Sequence, residues 1–113
     1  MLYRIVMITD LKGNKKEDKE AVDRIGRIIK LDKDTIVFNK RLFMTCVDPG
    51  FSKSIITSHV IRVDNSDDGL IITTENSMYF LVEKEIAERY DEMEYQVQVE
   101  MAQHFDMNGD NIS

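Results

Sequence analysis

The stretch from Ile55 to Val82, IITSHVIRVDNSDDGLIITTENSMYFLV, decides the fold of this chain. β-branched and aromatic residues fill its apolar runs, and turn-forming residues interrupt them at 65–69 and at 75–77. This alternation of runs and turns is typical of an antiparallel meander, with strands expected over 54–64, 70–74 and 78–82. The Asp68-Gly69 pair is typical of a tight hairpin turn, which predicts a positive φ at Gly69.

The same pattern extends toward the N-terminus. Strands are expected at Leu2–Thr9, at Arg24–Leu31 with a bulge or close approach at Gly26, and between residues 35 and 47. Asp48-Pro49-Gly50 follows as a type II turn, which also requires a positive φ at its glycine. Several runs are apolar on both faces, unlike a sheet with one wet face. We therefore predict a mainly β fold, a small barrel of five to six antiparallel strands whose outside is partly covered.

The C-terminal segment is the expected cover. Apolar residues recur there every three or four positions, at Ile86, Tyr90, Met93, Val97, Met101 and Phe105. This spacing predicts an amphipathic helix over about 84–105 within a single domain of residues 1–105. Residues 106–113 lack periodicity and are predicted to form a flexible polar tail. Residues 95–99, YQVQV, alternate at period two, so a strand remains an alternative for them.

Charge is distributed unevenly along the 113 residues, whose net charge is −6. Residues 1–82 carry a net charge of +1, whereas residues 83–113 carry −7. On the predicted helix, Glu88, Asp91, Glu92 and Glu94 lie off or beside the apolar stripe, where they would face a basic protein surface. The leading hypothesis is a non-enzymatic protein-binding module, acting as a phage or mobile-element inhibitor of a basic, nucleic-acid-handling partner.

Two other binding hypotheses remain open. The apolar stripe of the helix would suit a homodimer, with the barrel in a structural or regulatory role. Alternatively, a basic cluster that extends toward Lys30 would bind nucleic acid, and its members are Lys12, Lys15, Lys16 and Lys19. Glu17, Asp18 and Glu20 interrupt this cluster, and it shows no interleaving of arginine with aromatic residues, so nucleic acid is the less favoured partner.

No pattern indicates catalysis, a cofactor or a bound metal. His59 and His104 are 45 residues apart, and neither stands in a metal-ligand spacing with Cys46. The single cysteine excludes a disulfide within the chain and favours a reducing, cytoplasmic location. No apolar run approaches the length of a membrane span, and no signal peptide precedes the first strand.

Four blocks carry a resemblance to a known group of proteins. They are Arg24–Arg27 (RIGR), Arg41–Met44 (RLFM), Ile56–Val60 (ITSHV) and Thr74–Leu81 (TENSMYFL). Together they span roughly the central half of the chain, which resembles small uncharacterised proteins of Firmicutes and their mobile elements. The resemblance implies a Src-homology-3-like barrel with a long first loop. It implies no activity and no site residues.

Overall fold

The computed structural model describes residues 1–50 and 53–92, and six strands form a closed barrel in this part of the chain. The strands are β1 (Leu2–Thr9), β2 (Ile28–Lys30), β3 (Arg41–Cys46), β4 (Ser54–Ser66), β5 (Gly69–Thr74) and β6 (Met78–Glu83). Each strand pairs antiparallel with the next, and β6 closes the barrel by pairing antiparallel with β1. The predicted mainly β barrel is therefore confirmed, with six strands.

Helices contribute less to the described part of the chain. Helix α1 (Lys19–Arg24) and a 3-10 turn (Lys33–Thr35) lie in the two connections that follow β1 and β2. A helix over residues 84–92, called α2 here, follows β6 directly and confirms the start of the predicted C-terminal helix. Its expected continuation to 105, the alternative strand at 95–99 and the tail at 106–113 lie outside the described residues. None of the described helices is long and apolar enough to cross a membrane.

The longest strand, β4, pairs with a different neighbour along each half of its length. Its first part pairs with β3, and its second part, from Val60 onward, pairs with β5. A register shift interrupts each pairing, one opposite Arg41–Phe43 and one between Val60 and Arg62. Bulges of this kind bend a strand and increase its twist, and both effects help a sheet to curve into a barrel.

The core fills the barrel with alternate side chains from every strand. Residues Leu42, Met44 and Cys46 of β3 point inward and are buried, and so are Leu70, Ile72 and Thr74 of β5. The period of two follows from the pleat of a strand. Burying one large aliphatic side chain contributes about 1.5–3 kcal/mol, so this alternation is a main source of stability.

Strand β1 departs from the predicted alternation. Strict alternation from Leu2 to Thr9 would place Tyr3, Ile5 and Met7 on one face, but the buried apolar residues are Tyr3, Ile5 and then Ile8. A register shift against β6 between Ile5 and Met7 causes the change, because one extra residue turns the following side chains to the other face.

Two predicted strand segments are wrong. Arg24–Leu31 was expected to be one strand, but α1 ends at Arg24 and only Ile28–Lys30 is extended and paired. Gly26 makes this change of direction at φ 91°, and its N–H donates to the carbonyl of Ile5 at 2.7 Å. Residues 35–38 are not a strand either, since they leave the 3-10 turn and enter an irregular segment before β3.

The two turn glycines differ in what they require. Gly50 has φ 78°, as its Pro-Gly turn predicts. The predicted positive φ at Gly69 is wrong, because Gly69 is not among the residues with positive φ. Its constraint is space: a Cβ at this position would overlap the carbonyl oxygen of Leu81 in the neighbouring strand β6. Gly69 therefore permits a close approach of two backbones, a recognised use of glycine in strands.

Replacing the two glycines by alanine should separate these causes. We expect Gly69→Ala to lower the free energy of unfolding by about 3 kcal/mol, the upper part of the range for overpacking. Gly50→Ala meets no atom within 4 Å and should cost only about 1 kcal/mol through its backbone conformation. Urea denaturation followed by circular dichroism would measure both. Equal costs for the two variants would contradict the close approach at Gly69.

Candidate functional site

Helix α2, which carries the predicted acidic site, is held to the barrel by polar contacts. Nη1 of Arg4 donates to Oδ2 of Asp91 at 2.6 Å, and Nη2 donates to the carbonyl of Ala87 at 3.2 Å. The hydroxyl of Tyr90 donates to Oδ2 of Asp68 at 2.7 Å. We call the contacts of Arg4 with α2 the Arg4 clasp. They fix α2 against β1.

The buried face of α2 differs from the predicted stripe. Ala87 is buried, Ile86 is half-buried and Tyr90 is exposed. Ala87 is the buried residue of this helix, whereas the phenol of Tyr90 lies at the surface and donates to Asp68. The spacing of large apolar residues could not identify this face, because its buried member is an alanine.

The four predicted acidic site residues are not equally available to a partner. Asp91 belongs to the Arg4 clasp, and this hydrogen bond lowers the pKa of its carboxyl. Glu88 pairs with Lys84 at 2.7 Å, one helical turn earlier. Glu92 is exposed, and Glu94 lies outside the described residues. Two of the four carboxylates are thus already paired within the chain, which weakens the attraction they offer to a basic surface.

The four lysines of the predicted basic cluster do not share one environment in the structure. The ammonium group of Lys16 donates to Oγ of Ser77 at 2.6 Å and so attaches its loop to the barrel. Lys12, Lys15 and Lys19 are exposed, and exposed carboxylates follow them closely in the sequence at Glu17, Asp18 and Glu20. The hydrogen bond of Lys16 therefore anchors the loop to the barrel, and the other lysines are accompanied by carboxylates.

A cleft of about 160 Å³ lies between α1 and the end of the barrel. Arg24 spans it: Nη1 donates to the hydroxyl of Tyr79 at 2.7 Å and Nη2 to the carbonyl of Ile56 at 3.3 Å. Glu20 pairs with the same guanidinium at 2.5 Å. Burial raises the pKa of Tyr79, and Arg24 partly opposes that shift. Arg24 therefore ties α1 to the barrel wall across this cleft.

The most unusual surface of the barrel lies on the outside of β3 and β4. Phe43 and Ile56 are cross-strand partners there, and they are 63% and 43% exposed. Arg41 and His59 form the next outward pair, and both are exposed. Isolated exposed apolar residues are ordinary on protein surfaces, but adjacent ones indicate an interaction site.

A loop extends this surface beyond the start of β3. The N–H of Asn39 donates to the carbonyl of Val60 at 2.8 Å, and the N–H of Val60 donates to the carbonyl of Lys40 at 2.9 Å. These bonds continue the pairing of β3 with β4 past Arg41, toward the Ile61 end. We use the name β3–β4 surface for the exposed side chains along this pairing, which are Val37, Phe38, Arg41, Phe43, Ile56, His59 and Ile61.

The pleat explains why these side chains point outward. Leu42, Met44 and Cys46 fill the core, so Arg41 and Phe43 must face the opposite way. The apolar outer residues therefore gain nothing from the core of their own barrel. The strand register forces these side chains to be exposed. Covering them with another surface would be favourable, because it removes their apolar area from water.

The border of the β3–β4 surface is basic. Lys40 and Arg41 form no ion pair within residues 1–50 and 53–92. Arg62 pairs with Asp64 at 2.8 Å, and Nδ1 of His59 lies 3.2 Å from Glu75, a pair that is ionic only when the imidazole is protonated. Lys40 and Arg41 are therefore the two cations of this border that lack an ion-pair partner in the described part of the chain.

Sequence reasoning missed this surface although a signal was present. The run from Val37 to Phe43, VFNKRLF, places two basic residues between two phenylalanines. This is the interleaving that the Lys12–Lys19 cluster lacks. The sequence predicts strand structure between residues 35 and 47, and only the register shows which of its apolar residues point outward.

The described residues show no cluster of side chains suited to bind a metal ion. No group of three or more His, Cys, Asp or Glu side chains in residues 1–50 and 53–92 could hold a metal ion. Cys46 is buried, and this burial raises the pKa of its thiol. A scan against protein-family models found no matching family, and searches of curated proteins and of solved structures found no match. The candidate functional site must therefore be identified from the surface of this chain alone.

The Arg4 clasp predicts a pH-dependent contribution to stability. Its hydrogen bond places the pKa of Asp91 in the folded state below the unfolded value of about 3.9. The clasp should therefore stabilise the fold above about pH 4 and lose this effect as the pH falls through the lowered pKa. We expect Asp91→Asn to melt at a lower temperature than the wild type at pH 7, with the difference disappearing in acid.

The matched control is Glu92→Gln, which removes an exposed carboxylate from the same helical turn. Thermal melts by circular dichroism between pH 2 and 7 would compare the variants. A constant difference between wild type and Asp91→Asn at all pH values would contradict the role of the ionised carboxyl.

Proposed function

We propose that this chain is a non-enzymatic protein-binding module that binds an acidic amphipathic segment of another protein on its β3–β4 surface. The observation that carries the proposal is the exposed cross-strand pair of Phe43 and Ile56 beside unpaired basic groups. A large aromatic side chain that is exposed in the free protein and covered in a complex is a typical source of binding energy.

The composition of the surface favours a protein over nucleic acid. Bases are held mainly by stacking on aromatic rings and by charge on the backbone. Two of the five exposed apolar residues at this surface, Phe38 and Phe43, carry a ring that could stack on a base, but Val37, Ile56 and Ile61 are aliphatic and offer none. Aliphatic and aromatic groups together suit the apolar side chains of a protein segment.

Charge specifies the kind of protein segment. Lys40 and Arg41 border the apolar pair and lack ion-pair partners within the described part of the chain. A partner with carboxylates beside its apolar face would complement them. A second copy of the same surface would bring like charges together, which disfavours a symmetric dimer through β3 and β4.

The acidic face of α2 gives a weaker case. Binding of a basic, nucleic-acid-handling partner by Glu88, Asp91, Glu92 and Glu94 stays a prediction, as does an inhibitory role for a phage or mobile element. The pairing of Glu88 and Asp91 within the chain reduces its support. Charge reversal at Glu92 and Glu94 would test it without disturbing the Arg4 clasp.

A pair of synthetic peptides tests the proposed function. One carries leucine at i, i+3, i+4 and i+7 with glutamate on its polar face, and the other has lysine in place of glutamate. We expect the full chain to bind the glutamate peptide in fluorescence anisotropy, more weakly as salt rises. Phe43→Ser should weaken binding about tenfold or more, given the transfer free energy of a buried phenylalanine. Arg41→Gln should reduce the dependence on salt.

Two variants provide matched controls. Val22→Ser removes an apolar side chain from α1 that is 58% exposed, and Lys12→Gln removes an exposed charge from the first loop. Both should bind like the wild type. Equal affinity for the two peptides would contradict the proposal. Tighter binding of single-stranded DNA or RNA, lost in Arg41→Gln, would replace it with a nucleic-acid function.

A further inference from the structure

We propose that the cavity beside Tyr3 at one end of the barrel binds a small aliphatic diamine, whose ammonium groups are held by Tyr3 and by the carboxylates around the opening. This cavity shares no residue with the β3–β4 surface, so the site does not depend on the proposed function. Three features support it: the size and position of the cavity, a buried hydroxyl group that lacks a protein partner, and the charges around the opening.

The cavity has the size and the position of a small-molecule site. Its volume is about 660 Å³, and it opens between the connection from β2 to β3 and the turn from β4 to β5. Ligand sites commonly measure about 300–1,000 Å³, and the mouths of β-barrels are among their preferred places. The buried side chains of Leu31 and Leu70 line it, and they give its inner wall an apolar surface that suits a short hydrocarbon chain.

Tyr3 brings an unpartnered hydroxyl group to this cavity. The residue lies on β1 and is only 4% exposed. Its hydroxyl forms no hydrogen bond within residues 1–50 and 53–92, although every fully enclosed side-chain oxygen or nitrogen there has a partner. The hydroxyl is therefore not fully enclosed, and the cavity that Tyr3 lines is the space open to it. Buried polar groups are rarely left without a partner, so this hydroxyl is available to a ligand.

Glu83 is placed beside Tyr3 by the pairing of β1 with β6. The two residues are cross-strand partners, so their side chains lie on the same face of the sheet, and both line the cavity. Burial raises the pKa of Tyr3, and the charges of Glu83 and Asp32 raise it further. The phenol is therefore neutral near pH 7. Its oxygen can accept a hydrogen bond from an ammonium group while the carboxylates supply the opposite charge.

Carboxylates lie on more than one side of the opening. They are Asp32 and Asp34 in the connection after β2, Asp67 in the turn after β4, and Glu83 at the end of β6. None of the four forms an ion pair with another residue of the described part of the chain. No three of them are close enough together to hold a metal ion. Two ammonium groups joined by a short chain fit this spacing better than one compact cation.

Two lysines also line the opening, but they leave its charge negative. Lys30 and Lys33 are both exposed, and they stand against the four carboxylates of the lining. An anionic ligand would therefore be repelled, and a cationic one attracted, by the side chains around the cavity.

Titration of the full chain with cadaverine, a five-carbon diamine, tests this site by NMR at low ionic strength. We expect the amide signals of Leu31, Ser66 and Gly69 to shift until the site is saturated. The five-carbon diol, which has the same chain length and no charge, should leave them unchanged. Tyr3→Phe removes only the hydroxyl and Glu83→Gln only a charge. Each should weaken cadaverine binding about tenfold, the loss expected for one hydrogen bond to a charged group.

Glu17→Gln is the matched control, because it removes an exposed carboxylate that does not line the cavity. It should bind cadaverine like the wild type, and the amide spectrum shows whether each variant is folded. If Tyr3→Phe does not fold, Glu83→Gln decides alone. A loss in Glu17→Gln equal to that in Glu83→Gln would indicate general attraction to an acidic protein and would overturn the inference. Equal shifts with the diol, no shifts with cadaverine, unchanged affinity in folded Tyr3→Phe, or the same shifts at lower concentrations of magnesium chloride would also overturn it.

Discussion

The barrel depends on one shared strand. β4 pairs with β3 over its first part and with β5 over its second, and a bulge interrupts each pairing. Without this bend, the β3 side and the β5 side of the sheet would not curve toward each other, and β6 could not reach β1. The register shift opposite Arg41–Phe43 also pairs Arg41 with His59 instead of Ser58, so closure of the barrel and the composition of the outer β3–β4 surface are linked.

Much of the fold could be predicted from local sequence. The meander from β4 to β6 follows from turn residues at 65–69 and 75–77 and from the alternation of apolar side chains. The sequence correctly indicated that glycine is required at position 69, but the predicted cause, a positive φ, was wrong. Its requirement arises from the backbone of Leu81, a neighbour that only the register of β5 against β6 defines.

The candidate site was harder to predict because it depends on which side of each strand a given side chain faces. The sequence shows that Phe38, Arg41 and Phe43 are close in the chain, but not which of them face water. A bulge reverses the outward side of a strand, as the buried Ile8 of β1 demonstrates. The acidic helix was visible as a charge pattern, yet the partners of Asp91 and Glu88 could be found only after α2 was placed against Arg4.

The buried Cys46 gives the barrel an internal reporter. Its thiol lies in the core on β3, and burial raises its pKa, so reagents in water react with it only when the wall opens. The rate of thiol modification therefore measures how often β3 separates from its neighbours under native conditions. Since β3 also presents Phe43, a ligand that covers the outside of this strand should slow a reaction on its inside.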